Sequence, residues 1–216
     1  MKYKSLLPIA MFGALILASC GNENKQKTEG TETKAPEVCT YAYDASQTKL
    51  TWTAYKFTER TGVKGTFDTL VIETKAEENS IPALLTDAHF TIPVSSLNTT
   101  NPERDVKIRK FFFGNLLSNT HLTGKVADVV GDDEGGSLNF VLNMNDMELP
   151  VSMGYTMSGD TLILSGTMDM NNWNAQKGIA ALNNECKDLH KGADGKSTLW
   201  PDIYLELRST LKKTCK

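Results

Sequence analysis

The sequence predicts an all-β fold: an eight-stranded antiparallel barrel carrying two short helices. Apolar and polar residues alternate with period two through most of the chain after residue 49. Turn residues punctuate that alternation, and only two stretches carry helix signals. A sheet with one apolar face must hide it, by closing on itself or by folding over as a sandwich. Closure also removes exposed edges, which favours the barrel.

The first strand contains Trp52, in LTWTAYKF, with Leu50 and Ala54 on the same face. Next, Val63, Gly65, Phe67, Thr69 and Val71 alternate with Lys64, Thr66 and Asp68, and Ala88, Phe90, Ile92 and Val94 with Asp87, His89 and Thr91. Leu122, Gly124 and Val126 make a fourth strand, and Leu138, Phe140, Leu142 and Met144 a fifth. Leu149, Val151, Met153, Tyr155 and Met157 form the sixth, and Leu162, Leu164, Gly166, Met168 and Met170 the seventh. Ile203, Leu205, Leu207 and Leu211 complete the set. Asp132 to Gly136, Asn145-Asp146 and Ser158-Gly159-Asp160 read as hairpin loops, so the strands before residue 171 form a meander.

The first helix starts at Asn101-Pro102-Glu103-Arg104-Asp105, with a capping residue, proline at the first helical position and acids in the first turn. It runs into Phe111 and stops before Gly114. Three consecutive phenylalanines, Phe111 to Phe113, cannot all face inward from a helix. In the second helix, beginning near Asn174, Ala175, Ile179, Leu182, Cys186 and Leu189 make one amphipathic stripe and Gly192 a stop. This helix should lie over the barrel and close one end.

The N-terminus carries a different message. Lys2 and Lys4 precede LLPIAMFGALILA, an uncharged apolar run of about 13 residues, short for a bilayer span but suited to a signal segment. It ends in Leu17-Ala18-Ser19-Cys20, the lipobox pattern of bacterial lipoproteins. Residues 1–19 are therefore expected to be a signal peptide, and Cys20 the acylated first residue of the mature chain. Each buried CH₂ of an acyl chain contributes roughly 0.8 kcal/mol, and stable anchoring needs more than one chain. Residues 20–38 are polar and mixed in charge, with almost nothing to bury, and read as a flexible tether. Residues 39–216 make the folded domain. The expected location is the bacterial cell envelope, periplasm included, with the protein anchored as a lipoprotein at the outer membrane.

A net charge of −3, from 23 basic and 26 acidic residues, gives no electrostatic case for nucleic acid. No metal or cofactor motif is visible, and His89, His121 and His190 lie far apart in the chain. Catalytic signatures such as GxSxG or HExxH are missing, so the chain reads as a binding module and not an enzyme. Three cysteines remain after Cys20, in a compartment that permits disulfides. In an up-and-down barrel of eight strands the first and last are antiparallel neighbours. Cys39, before strand one, and Cys215, after strand eight, then share a rim and are the expected pair. Cys186 would be a buried free thiol. Cys186–Cys215 and Cys39–Cys186 stay as alternatives if the second helix docks at that rim.

An eight-stranded barrel either fills its interior with side chains or holds one small ligand. The inner face is soft, with Met144, Met153, Met157, Met168 and Met170 beside Leu142 and Leu164. Trp52, Phe67, Phe90, Phe140, Met153 and Met168 are the candidate walls of a pocket for an apolar lipid. The alternative is a structural or adhesive envelope protein whose core is filled and holds no ligand.

A family resemblance runs along residues 41 to 211. Asp44-x-Ser46 and Leu50-x-Trp52, then Val63-x-Gly65-x-Phe67, resemble the first hairpin of the YceI-like family of exported, lipocalin-like proteins. Ile92-Pro93-Val94-Ser95-Ser96-Leu97, Glu103-Arg104-Asp105 and Phe111-Phe112-Phe113 resemble its middle section, and Leu138 to Val151 its second half. The resemblance implies a lipocalin-like barrel and, because some members hold a polyprenyl chain inside it, binding or carriage of an isoprenoid. Arg104 could meet a polar head group such as a diphosphate, or with Asp105 merely cap and brace the loop. The chain departs from the family pattern at Lys56, where many members have histidine, and at Ser118-Asn119-Thr120-His121, which lacks the usual proline. The segment around Cys186 is also longer than typical.

Cys20→Ser should stop metabolic labelling with palmitate and release the protein from the membrane fraction. Labelling that persists in the variant would exclude Cys20 as the anchor.

Overall fold

The computed structural model describes residues 38–216; the signal segment, Cys20 and all of the tether but Val38 lie outside the described residues. The chain order is β1 (Cys39–Ala42), β2 (Thr48–Lys56), β3 (Thr61–Phe67), β4 (Val71–Glu73), α1 (Ile81–Leu85), β5 (His89–Pro93) and β6 (Leu97–Asn98). There follow α2 (Pro102–Lys107), β7 (His121–Gly131), β8 (Gly135–Met144), β9 (Met147–Ser158), β10 (Thr161–Asp169), α3 (Gln176–Glu185), β11 (Leu199–Thr210) and β12 (Lys212–Cys215). Ten strands form one curled antiparallel sheet in the order β4-β5-β7-β8-β9-β10-β11-β2-β3-β6, and β1 pairs with β12 as a separate ribbon.

The main sheet thus has ten strands where the alternation predicts eight. The extra count has a local cause. The expected second strand breaks at Asp68-Thr69-Leu70 into β3 and β4, and the expected third breaks at Val94-Ser95-Ser96 into β5 and β6. On one side of the break Phe67 faces Leu97; on the other Ile72 faces Phe90. Between them Asp68 N donates to Ser96 O at 2.8 Å, and Asn98 Nδ2 donates to the Asp68 carboxylate at 2.9 and 3.1 Å. The register slips across this seam, and a slip changes which side chains face inward. Leu70 and Ile72 point to the interior, while Val71, expected inside, is 46% exposed. The two ends of the strand order are therefore consecutive in the chain, β3 running into β4 and β5 into β6.

Elsewhere the alternation holds. Leu138, Phe140, Leu142 and Met144 of β8 are buried, as are Val151, Met153 and Tyr155 of β9. Asn145 and Asp146, with φ of 54° and 56°, make the two-residue turn between them, a left-handed conformation that asparagine and aspartate tolerate. Three inward aromatics lie across glycines on the neighbouring strand: Trp52 opposite Gly65, Phe90 opposite Gly124 and Tyr155 opposite Gly136. A Cβ at Gly65 would sit 2.1 Å from an indole carbon of Trp52, and one at Gly124 would sit 2.3 Å from the Phe90 ring. These glycines let large rings lie flat on the inner wall instead of filling the centre.

Helices cover both ends. Short α1, capped by Ser80, buries Ile81 and Leu84 beside β7 and β1, and its Ile81 N donates to Asp133 Oδ1 at 2.8 Å. The sequence pattern missed it because one turn of helix shows no period. At the other end α2 begins as expected: Asn101 accepts from Arg104 N at 3.0 Å, with Pro102 at the first position. It continues as a π-helical turn, Ile108–Phe112, which buries Phe112, and Phe113 follows it into the core, leaving Phe111 partly exposed. The α3 helix packs on that turn and on β11. It is shorter than its stripe predicts, ending at Glu185 with Cys186 as the cap, so Leu189 stands 61% exposed and Gly192 is not its stop.

The β1–β12 ribbon joins the chain ends. Val38, placed by the sequence in the tether, exchanges two backbone hydrogen bonds with Lys216. That makes Cys39 and Cys215 the adjacent non-hydrogen-bonded pair, whose side chains lie closest. They form a disulfide across 176 residues, and Cys186 is buried and free.

Gly65→Val should destabilise the domain by about 2 kcal/mol or more, because Trp52 must be displaced. Gly154→Val, outward-facing with nothing nearer than 3.8 Å to its Cβ, should be neutral or stabilising. Chemical denaturation of the two variants side by side would decide this; equal losses would refute the packing argument.

Candidate ligand-binding lumen

Inside the curled sheet lie two adjoining cavities, of about 170 Å³ and about 140 Å³. They share Phe67, Leu122, Leu142, Met168 and Leu205, so they are halves of one lumen narrowed at its waist. Both walls are almost wholly apolar. Empty apolar space of this kind excludes water, because water there would lack polar partners.

The half nearer the disulfide contains Phe67, Phe90, Phe140, Met153 and Met168 from the expected wall. Phe90 and Phe140 meet edge to face, with centroids 5.5 Å apart. Leu70 and Ile72 from the seam, and Leu84 and Leu85 from α1, complete this half. None of the four was legible in the strand alternation, since two depend on the phase inversion and two on a one-turn helix. Trp52, the sixth expected residue, lines the other half, together with Phe112 and Phe113 and with Ile179 and Leu182 of α3. Of the methionines, Met144, Met153, Met168 and Met170 are buried and Met157 is partly so.

Polar groups around the lumen are mostly engaged. Ser209 Oγ pairs with Thr48 Oγ1 at 2.6 Å, Trp173 Nε1 donates to Leu142 O at 3.1 Å, and Tyr155 OH donates to Asp132 O at 2.9 Å. Among the described residues two buried donors, Tyr43 OH and Trp52 Nε1, have no hydrogen-bond partner. Burial raises the Tyr43 phenol above its ordinary value.

A second recess lies outside the lumen at the helical end, lined by Trp52, Lys56, Arg104, Lys107, Cys186 and His190 among others. Here Arg104 and Asp105 have separate fates. Asp105 is buried and braces the loop, accepting from Thr99 N at 2.9 Å and Thr99 Oγ1 at 2.6 Å. Arg104 is exposed and faces the recess. Lys56 Nζ donates to Leu189 O at 3.1 Å, and Lys107 lies 3.7 Å from Glu185. Burial first, and then the charges of Lys56 and Lys107, lower the His190 pKa from 6.5 to about 4. Asn183 Oδ1 accepts from Ser197 Oγ, so the ring Nδ1, 2.9 Å away, carries the proton.

Between pH 6.5 and about 4 the unfolded chain therefore holds a proton on His190 that the folded chain does not. Stability should fall as pH drops through that window, and His190→Gln should flatten the slope. An NMR titration of the ring checks the cause directly; a midpoint near 6.5 would refute it.

Among the described residues no helix is long and apolar enough to cross a membrane, and no three His, Cys, Asp or Glu gather as a metal site. A polyisoprenoid binding domain from Saccharophagus degradans, implicated in plant cell wall breakdown, superposes with a TM-score of 0.52 at 12% identity, over 82% of this chain and 99% of that one. BcnA of Burkholderia cenocepacia superposes with a TM-score of 0.57 at 15% identity, over 79% of this chain and 99% of its own. At such identities the likeness establishes the fold alone. Among curated proteins none matches the sequence. The YceI-like domain family matches residues 41–194, most of the folded domain, and this chain belongs to that family.

Proposed function

We propose that this protein is an envelope lipoprotein that binds or carries an apolar lipid, an isoprenoid chain, inside its curled sheet. The observation that carries the reading is the lumen itself. Large side chains are held against the wall by facing glycines, and the space they leave runs past a narrow waist between two apolar chambers. A slender flexible hydrocarbon suits such a shape better than a compact ring system, and the soft methionine wall can adapt along its length. The polyisoprenoid-binding name of one structural neighbour supports the same ligand class. The lipobox at Cys20 supports anchoring to a bacterial membrane, with the outer membrane as the proposed site.

The role is carriage and not catalysis, in keeping with a lumen lined almost wholly by side chains that cannot move protons. Native purification from an envelope fraction, followed by organic extraction and mass spectrometry, should yield a prenyl lipid near one per protein. Leu122→Trp, which adds bulk at the waist, should cost about 1–3 kcal/mol of stability and leave the fold intact. It should reduce the co-purified lipid severalfold. A natively purified protein that is folded and free of lipid would favour the filled-core, structural reading instead.

A further inference from the structure

The strands that wall the lumen also measure its depth. Leu162, Leu164 and Met168 of β10, and Met170 just beyond it, line the lumen from one chamber to the other. From Leu162 to Met170 a strand rises about 27 Å, which a barrel tilt of about 40° reduces to roughly 20 Å along the axis. An extended prenyl chain advances about 5 Å for each isoprene unit, since a unit adds four zigzag bonds of about 1.5 Å. A chain of about four units therefore spans the lumen. Volume points the same way. The chambers, of about 170 Å³ and about 140 Å³, together lie at the lower limit of the roughly 300–1,000 Å³ of pockets that bury a drug-sized ligand.

At the disulfide end the lumen meets α1. Leu84, only 2% exposed, and Leu85 form part of that chamber's wall. A one-turn helix has no stability of its own, and this one is fastened on both sides. Ahead of it, Glu78 exchanges two backbone hydrogen bonds with Tyr41 of β1, at 2.7 and 3.0 Å, and the disulfide holds β1. Within and behind it, Ile81 N donates to Asp133, Thr86 Oγ1 donates to Pro82 O at 2.7 Å, and Val126 N donates to Ala88 O at 2.8 Å. An element tied at both ends in this way serves as a wall and not as a lid. We propose that α1 is a chain-length stop, in which Leu84 and Leu85 limit the lumen to a prenyl chain of about four isoprene units. Each carbon buried in the lumen strengthens binding, whereas a carbon beyond the stop stays in water and adds nothing. This inference rests on the lipid-carrying reading of the lumen and narrows it, from any isoprenoid to a short one.

Native mass spectrometry of the delipidated full-length protein, incubated with an equimolar mixture of farnesol, geranylgeraniol, geranylfarnesol and octaprenol, tests it. Occupancy should rise at least about tenfold from farnesol to geranylgeraniol and then level off. Leu84→Ala and Leu85→Ala, each checked for folding by thermal unfolding, should deepen the lumen and raise geranylfarnesol severalfold relative to geranylgeraniol. Leu85 is only partly buried, so its variant carries the test if Leu84→Ala does not fold. Occupancy that goes on climbing from geranylgeraniol to octaprenol, or a ratio unchanged in the folded variants, would overturn the stop while leaving the lumen reading intact. Absence of binding by all four alcohols would overturn the two together.

Discussion

The structure depends on one constraint: a single sheet face is apolar, and it must be removed from water without being filled. An open sheet would need a second layer over that face. Here the sheet curls instead, and the inner faces of β2, β5, β7, β8, β9, β10 and β11 cover one another across the lumen. The ends of the curl are then exposed, and α1 at one end and α2 with α3 at the other bury them. Gly178 of α3 shows how close that cover sits: a Cβ there would lie 2.8 Å from the Phe112 carbonyl oxygen.

Two devices keep the interior from collapsing into an ordinary core. The first is the pairing of rings with glycines. A ring that lies across Gly65 or Gly124 spends its area on the wall and projects little toward the axis. The second is the seam. Inverting the phase of two adjacent strands turns Leu70 and Ile72 inward, and polar pairing through Asp68, Ser96 and Asn98 replaces the interrupted ladder. The disulfide and ribbon then tie the two ends of the described domain together at the rim nearer α1.

Electrostatics are confined to the rim. The lumen walls carry almost no charge, whereas Lys56, Arg104 and Lys107 crowd the recess at the helical end. Crowded like charges in a partly buried site are costly unless something opposes them. Burial first, and then the charges of Lys56 and Lys107, keep the His190 imidazole neutral beside them. Elsewhere on the surface charges are paired locally, as Arg60 is with Asp202 and Lys125 with Asp87.

The sequence by itself determined the fold class, the meander of β7 to β10, the capped start of α2 and the apolar character of the interior. All of these follow from side-chain period and from turn and cap chemistry, which are local. The family resemblance rested on the order of such local features along the chain. Tertiary structure alone decided where the alternation would invert, because Val71 and Leu70 are equally apolar and only the slipped register chooses between them. It decided the extent of α3, whose stripe continues in sequence past the point where packing supports a helix. It also brought Lys56, Arg104, Lys107 and His190 into one recess from three separate places in the chain. No spacing rule encodes that meeting, since it arises from how β2, α2 and the segment after α3 dock around Trp52.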